Sequence, residues 1–270
     1  MHVDHVAFGW DDLDTVRAAL DAVGLPFDEG GTHADGTTHM ALTGLPDGSY
    51  LEYIAPTPGT NPEAAGFWPA ALAARAGPAA WCVRVDDVVA ETKRAIDAGF
   101  AVEGPLHGGR DRPDGRRVEW DQTFERVDAP DRWLFPFPLV DRTPRSWRVS
   151  ETDGVTPLSG VDTVVLGVAD VDDAAALLDR RYRIPAPVLA ETDAVAGDVT
   201  DVPGAPIALT AAGDARLARV GERPAAVLLG TDDLAAARTA YELTDPVAWG
   251  ARRAAWFDRD LFRGRVGVIE

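Results

Sequence analysis

The stretch HVAFGWDDLDTVRAALDAVGL, residues 5–25, sets the interpretation of the whole chain. It consists of a short apolar run, an acidic turn, and an alanine- and leucine-rich segment with helical spacing. The apolar run is typical of a buried strand. An aspartate in the turn is a good N-cap, and Gly24 suits the position just after a helix. The stretch therefore predicts a strand followed by an amphipathic helix.

The same pattern returns three more times along the chain. The copies are AWCVRVDDVVAETKRAIDAGF (80–100), TVVLGVADVDDAAALLDRRY (163–182) and AVLLGTDDLAAARTAY (226–241). Strand-rich sequence follows the helices, so the repeating unit is β-α-β-β-β. This strand-first pattern predicts an α+β fold and not a doubly wound parallel sheet. We expect two tandem domains: a better formed one at 1–150, and a degraded one at 151–270. The stretch 143–157 is the expected linker.

The charge of the chain limits its partners. Among 270 residues, 44 are acidic and 26 are lysine or arginine, which gives a formal net charge of −18. Such a charge repels nucleic acid and anionic membranes, so neither is an expected partner. The acidic pairs are spread along the chain, which favours a halophilic protein whose self-repulsion is screened by salt. An ordinary solvated surface is the alternative.

The remaining composition indicates a cytoplasmic protein. Cys82 is the only cysteine, so the chain has no internal disulfide and no cysteine zinc cluster. No apolar run approaches the length of a transmembrane helix, and the N-terminus lacks the pattern of a signal peptide.

Several stretches together carry a family resemblance. They are DHVAFGWDDLD (4–14), GGTHADGTTHMAL (30–42), DGSYLEYIAP (47–56) and RPDGRRVEWDQTF (112–124). In their order and spacing they resemble the vicinal oxygen chelate superfamily, and within it the glyoxalase-like branch. The resemblance implies the glyoxalase/bleomycin-resistance/dioxygenase-like fold, in which paired βαβββ modules enclose a half-open barrel around a divalent metal.

The resemblance also implies a set of metal ligands. In the superfamily these come from the first and last strands of each module, which correspond here to His5 and Glu52. A nitrogen and a carboxylate oxygen suit zinc, iron, manganese or nickel. Strand parity predicts that His39 also faces the cavity, giving a two-His-one-carboxylate set. A metal-free polar pocket made of the same residues is the alternative. The corresponding positions of the second module, Ala80 and the window 137–140, are apolar.

Further residues are expected to contact a small-molecule ligand. Arg84 is expected to point inward and to bind a carboxylate of the substrate. An ion pair with a nearby Asp or Glu is an equally open alternative. Trp120 and Phe124 share one face under period two and predict an apolar pocket wall, with simple core packing as the alternative. His33 lies in the Gly-rich hairpin, where it covers the pocket mouth or is an exposed turn histidine. Glu52 is the candidate general base.

Two functions follow from these expectations. The first is a metal-dependent lyase, isomerase or dioxygenase that acts on a small oxygenated metabolite. The second is a non-catalytic protein that binds and sequesters a small molecule. The ligand is a small molecule in both cases. A homodimer is a possible oligomeric state.

Overall fold

The computed structural model describes residues 1–64, 72, 77–126, 129, 132–150, 154–190, 192, 198–257, 262 and 265–270. Its strands form two eight-stranded sheets. The first sheet contains β1 (His2–Gly9), β2 (Asp28–His33), β3 (Thr38–Gly44), β4 (Tyr50–Pro56), β5 (Pro78–Arg84), β6 (Val102–Asp111), β7 (Arg117–Glu125) and β8 (Phe137–Asp141). The second contains β9 (Leu158–Val168), β10 (Val188–Ala190), β11 (Val199–Asp201), β12 (Ile207–Ala211), β13 (Arg223–Thr231), β14 (Val247–Trp249), β15 (Arg252–Trp256) and β16 (Arg265–Ile269).

The helices are short and lie mostly between the first and second strands of the modules. They are α1 (Leu13–Val23), α2 (Val88–Asp97), α3 (Arg145–Arg148), α4 (Val171–Tyr182), α5 (Asp214–Val220) and α6 (Leu234–Ala240), with one 3₁₀ turn at Pro62–Ala64. None of the described helices is long and apolar enough to cross a membrane.

The strand order shows four βαβββ modules paired into two units. The first sheet closes into a barrel in the order β1-β4-β3-β2-β6-β7-β8-β5, and the second has the order β10-β11-β12-β9-β13-β16-β15-β14. In every module the first strand pairs parallel with the last. The first strands of partner modules pair antiparallel. The expected α+β fold of paired βαβββ modules in tandem is confirmed.

Aspartate caps explain why the acidic turns mark the helix starts. The helix that follows the first strand of each module has an aspartate N-cap that accepts from backbone N–H groups two or three residues further on. These caps are Asp12, Asp87, Asp170 and Asp233. At the end of α1, Gly24 has φ 76°, the left-handed conformation that glycine adopts without steric cost.

Two apolar clusters separate the outer face of the first barrel from its interior. Val3, Val6 and Phe8 of β1 belong to a large cluster that includes α1 and residues of the second sheet. The interior cluster includes Ala7, Met40, Leu42, Cys82 and Phe137. These memberships define which face of each strand points into the barrel.

The segment after β8 is more than a linker. The strands of the first sheet end at Asp141 and those of the second begin at Leu158. Between them, α3 folds back onto the first barrel, and its last residue, Arg148, is only 2% exposed. The second unit also packs on the first, since Nε of Arg181 donates to Oε1 of the buried Glu125 at 2.9 Å.

Candidate functional site

A cavity of about 290 Å³ lies inside the first barrel. Its polar wall includes His5, His33 and Glu52. Its apolar wall is aromatic and consists of Trp120, Phe124 and Phe137. The volume is at the low end of the range for small-molecule pockets, and an apolar lining with a few polar groups is typical of them.

A bulge at the start of β1 turns two adjacent polar residues to the same side. In the pairing with β5, Val3 lies opposite Val83 and His5 lies opposite Cys82, with Asp4 left over. In a regular strand Asp4 and His5 would point to opposite faces, and the extra residue removes that alternation. Both are buried, and Oδ1 of Asp4 accepts from Nδ1 of His5 at 2.7 Å.

The Glu52 carboxylate lies between two imidazoles. Its Oε2 is 3.2 Å from Nε2 of His5, and its Oε1 is 3.6 Å from Nε2 of His33. Nδ1 of His33 is in turn 2.8 Å from Oγ1 of Thr38. A chain of polar contacts therefore runs from Asp4 through His5 and Glu52 to His33, along one wall of the cavity.

The charges along this series of polar contacts stabilise one another. Burial alone would raise the pKa of Glu52, but the charge of His5 and the polar contacts with His33 and His5 outweigh it and hold that pKa below its ordinary value. Burial would lower the pKa of His5, but Glu52 and Asp4 raise it above its ordinary value. Both shifts favour the ion pair of an imidazolium with a carboxylate.

Arg148 connects Asp4, the partner of His5, to Asp141 at the end of β8. Its Nη2 donates to Oδ1 of Asp4 at 3.3 Å, and its Nη1 donates to Oδ1 of Asp141 at 2.9 Å. The Tyr50 hydroxyl accepts from Nε and Nη2 of Arg148 at 3.2 and 2.9 Å. The Tyr50 ring stacks on His5 with centroids 4.7 Å apart. Arg148 therefore holds both the carboxylate behind His5 and the ring beside it.

Arg145 completes the support of Asp4. Its Nη1 donates to Oδ2 of Asp4 at 2.6 Å. Burial would raise the pKa of Asp4, but Arg148, the hydrogen bond from His5 and Arg145 lower it far below its ordinary value. Asp4 is therefore an ionised residue that orients His5.

Five of the expected site residues lie around the cavity. His5, Glu52, His33, Trp120 and Phe124 all line it. His33 contacts Glu52 directly, and Trp120 and Phe124 form part of the aromatic wall. The functional roles assigned to these five residues stay predictions.

The expected inward orientation of His39 is wrong. Directly opposite residues share a face of a sheet, and Leu42 lies opposite Glu52 in the regular pairing of β3 with β4. Leu42 and Met40 therefore face the interior, whereas His39 is partly exposed on the other face, near Glu29. The set of His5, His39 and Glu52 does not form.

The expected placement of Arg84 in the pocket is also wrong. Arg84 is the last residue of β5, at the end of the barrel, where its Nη2 lies 2.5 Å from Nε2 of His2. It lines a separate surface depression with Asp86 and Asp141. A charged side chain at a strand end reaches water more cheaply than it enters a barrel.

Four important residues were not found from the sequence: Asp4, Tyr50, Arg110 and Arg148. Asp4 and Tyr50 adjoin residues that were singled out, but their direction depends on the bulge and on the strand register. Arg110 follows Gly108 and Gly109, which line the cavity. Adjacent glycines are a sequence signal for a place where the backbone comes close to a ligand or another segment. Arg148 has no sequence signal, because a helix of four residues in a linker carries no periodicity.

The donor atoms do not fit a tightly held metal ion. Ligand atoms bound at about 2.0–2.2 Å lie roughly 3 Å apart around one ion, and the His5–Glu52 spacing meets this condition. Within the described residues, however, the one set of three with ligand atoms inside 4.8 Å of each other is Asp4, His5 and Cys82. Asp4 already accepts from two guanidinium groups, and burial raises the pKa of the Cys82 thiol.

The strand register explains why further ligands are missing. His5 pairs with Cys82 and Ala7 pairs with Ala80, so Ala80 occupies the position equivalent to His5. Ala7 pairs with Glu52 and Cys82 pairs with Phe137, so Phe137 occupies the position equivalent to Glu52. The register of the second sheet places Thr163, Ala226, Ala208 and Gly267 at the four corresponding positions.

Comparison with protein families supports the fold and its relationship. The family model described as glyoxalase-like domain matches residues 3–182, which is most of the chain. The chain belongs to the glyoxalase-like domain family. This match confirms the resemblance to the glyoxalase-like branch of the vicinal oxygen chelate superfamily. No curated protein matches this glyoxalase-like chain significantly.

Solved structures show the same architecture over the full length of this glyoxalase-like chain. A hypothetical protein from Staphylococcus aureus is 13% identical with a TM-score of 0.68, over 99% of this chain and 98% of that one. A xylose isomerase-like TIM barrel/4-hydroxyphenylpyruvate dioxygenase fusion protein is 13% identical with a TM-score of 0.58, over 99% of this chain and 48% of its own length. A mutant of 4-hydroxymandelate synthase from Streptomyces coelicolor is 11% identical with a TM-score of 0.56, over 99% and 91%. At these identities the likeness shows the fold alone.

Proposed function

We propose that the first barrel is the active site of a lyase or isomerase that moves a proton on a small oxygenated metabolite. The observation that carries this proposal is the Glu52 carboxylate between the imidazoles of His5 and His33 on the wall of a cavity. A carboxylate beside two imidazoles on a cavity wall places a proton acceptor and N–H donors within reach of one ligand. The pKa of Glu52, held low by His5, keeps it ionised, and its strength as a base rises where a substrate oxygen draws on the charge of His5.

The roles of the residues follow from their charges. Glu52 is ionised and accepts a proton from the substrate. His5 is protonated, is oriented by Asp4, and stabilises negative charge that develops on a substrate oxygen. Tyr50 stays protonated because burial raises its pKa. Among the described residues, its hydroxyl accepts from Arg148 and donates its own hydrogen to none. That hydrogen is available to a substrate oxygen.

A dioxygenase is less well supported. Oxygen activation at a non-haem iron site uses two histidines and one carboxylate with open positions. Here His39 lies on the other face of the sheet, and the equivalent positions Ala80 and Phe137 carry no donor.

The test is solvent exchange on candidate substrates. Small 2-oxo acids, hydroxy ketones and aldehydes are incubated with the protein in D₂O, and NMR follows deuterium incorporation beside the carbonyl. We expect exchange of one compound class by the wild type and its loss in Glu52→Gln, with Glu29→Gln on the outer face as the matched control. Exchange that survives in Glu52→Gln would refute the proposal. Binding without any exchange or product would favour a sequestering protein.

A further inference from the structure

Arg110 is a buried cation at the wall of the cavity. It lies near the end of β6, is 2% exposed, and lines the same cavity as His5 and Glu52. Burying a guanidinium removes it from water, and the cost is large unless an anion compensates the charge.

The contacts of Arg110 contain no such anion. Its Nη2 donates to the carbonyl oxygen of Arg148 at 2.7 Å, and its Nη1 donates to the carbonyl oxygen of Gly30 and contacts Sδ of Met40 at 3.1 Å. These partners are all neutral, and they occupy only part of the donor fork. Among the residues that the structure describes, no carboxylate lies within ion-pair distance of Arg110.

Two other buried arginines show the usual arrangement. Arg148 donates to the carboxylates of Asp4 and Asp141, and Arg181 donates to Glu125. Arg110 is equally buried and lines the cavity, and Glu52, the carboxylate that raises its pKa, is not within ion-pair distance. Burial lowers its pKa to about 10, which still leaves it fully charged near neutral pH.

The backbone around Arg110 makes room for this arrangement. A side chain at position 30 would collide with Nη1 of Arg110 and with Sδ of Met40, so Gly30 permits the guanidinium to reach its place. Gly108 and Gly109, just before Arg110, leave the neighbouring cavity wall without side chains. The guanidinium is therefore held in place by neutral groups, on a residue that lines the cavity.

We propose that Arg110 is the anion-recognition residue of the cavity, and that the ligand of the first domain is a small carboxylic acid in its ionised form. A carboxylate is the planar anion that a guanidinium fork binds best. The aromatic wall of Trp120, Phe124 and Phe137 receives the apolar part of the ligand. This inference names the substrate class of the proposed function, and it concerns the same cavity.

The net charge of −18 does not exclude an anionic ligand inside the barrel. The outer surface repels acids at long range, but salt screens that field beyond roughly 10 Å. Inside the barrel, the charges of Asp4, Asp141, Arg145 and Arg148 balance, as do those of His5 and Glu52. Among the described residues that line the cavity, Arg110 is the buried charge outside these pairs, whereas the carboxylate of Asp35 is exposed to solvent.

The test uses benzoate and benzamide, which have nearly the same shape and differ in charge. Binding to the full-length protein is measured by isothermal titration and by the unfolding midpoint at constant ionic strength. We expect benzoate to bind and to raise the midpoint with concentration, and benzamide to do neither. Arg110→Gln should weaken benzoate binding by about tenfold or more, the effect of losing charge-assisted hydrogen bonds. Arg84→Gln, outside the cavity, should leave it unchanged.

Two further variants keep the test decisive. Arg110→Lys retains the charge and should retain part of the benzoate binding if Arg110→Gln does not fold. Glu52→Gln should bind benzoate as well as the wild type or better, because it removes a nearby negative charge, even where it abolishes proton exchange. Benzoate binding without exchange in any substrate would refute the proposed function and leave this inference standing. Equal binding of benzoate and benzamide, or undiminished binding by Arg110→Gln, would overturn the inference.

Discussion

Arg148 and Asp4 lie 144 residues apart in the chain, yet Nη2 of Arg148 is 3.3 Å from Oδ1 of Asp4. The same oxygen accepts the hydrogen bond from His5. The end of the first domain is thus connected to its first strand at the residue that orients the site. The folding of this domain and the geometry of its site depend on one buried network.

Loss of Arg148 should destabilise the protein strongly. Arg148→Met removes one of the two arginines that contact Asp4 and Asp141 and leaves Arg145 as the other, and breaking a buried ion pair typically costs about 3–5 kcal/mol. The matched control is Arg142→Met, since Arg142 is exposed and its ion pair with Asp121 should contribute below about 1 kcal/mol. Urea unfolding of both variants measures the difference. Similar losses in the two variants would contradict the buried network.

Removal of the Tyr50 hydroxyl should lower the free energy of unfolding more than removal of the Tyr53 hydroxyl. Tyr50→Phe keeps the ring stacked on His5 but removes the acceptor of two N–H groups of Arg148, with an expected cost of about 1–3 kcal/mol. Tyr53→Phe is the control, because its hydroxyl has only a neutral contact with Thr43 at 3.2 Å. Chemical unfolding compares the two. A larger loss in Tyr53→Phe would count against the role of Tyr50.

The stabilisation that His5 provides should fade as the pH rises. Its pKa in the folded protein lies above the ordinary 6.5 because of Glu52 and Asp4, although burial opposes this. The stabilisation is therefore fully present below pH 6.5 and is lost as the pH passes the folded pKa. The difference in unfolding free energy between wild type and His5→Gln should shrink as the pH rises from about 6.5 through the folded pKa. A difference that grows over this range would show the opposite sign of the shift.

Metal content should be low and independent of His39. Two protein ligands hold a divalent ion weakly, so protein purified without chelator or affinity tag should contain less than one transition metal ion per chain. In zinc titrations, His5→Ala and Glu52→Gln should weaken any binding, whereas His39→Ala should not, since it lies on the other face. One tightly bound metal per chain that is lost in His39→Ala would contradict the structure.

Salt should stabilise the protein. In tens of millimolar salt the Debye length exceeds ~10 Å, so the 44 acidic residues repel one another across the surface. We expect the midpoint of thermal unfolding to rise steeply between dilute buffer and molar KCl. A flat profile would remove the argument for a halophilic protein.

The sequence alone predicted the repeated modules and five of the residues that line the cavity. Strand, acidic turn and helix follow one another locally, and an aspartate N-cap acts within three residues, so these features are encoded in short stretches. His5 and Glu52 were found because the resemblance to the superfamily points to the first and last strands of the module, and local order locates those strands in the sequence. The missing ligands of the second module were also readable, since Ala80 stands at the spacing that His5 has in the first.

Only the tertiary structure decided which other side chains enter the cavity. The direction of a strand residue changes with a single bulge or register step, which is why Asp4 turns inward and His39 outward. Arg110 and Arg148 reach the site through contacts between segments far apart in the chain, and no local pattern encodes such contacts. The fold therefore follows from local sequence, whereas the charges that give the cavity its chemistry follow from packing.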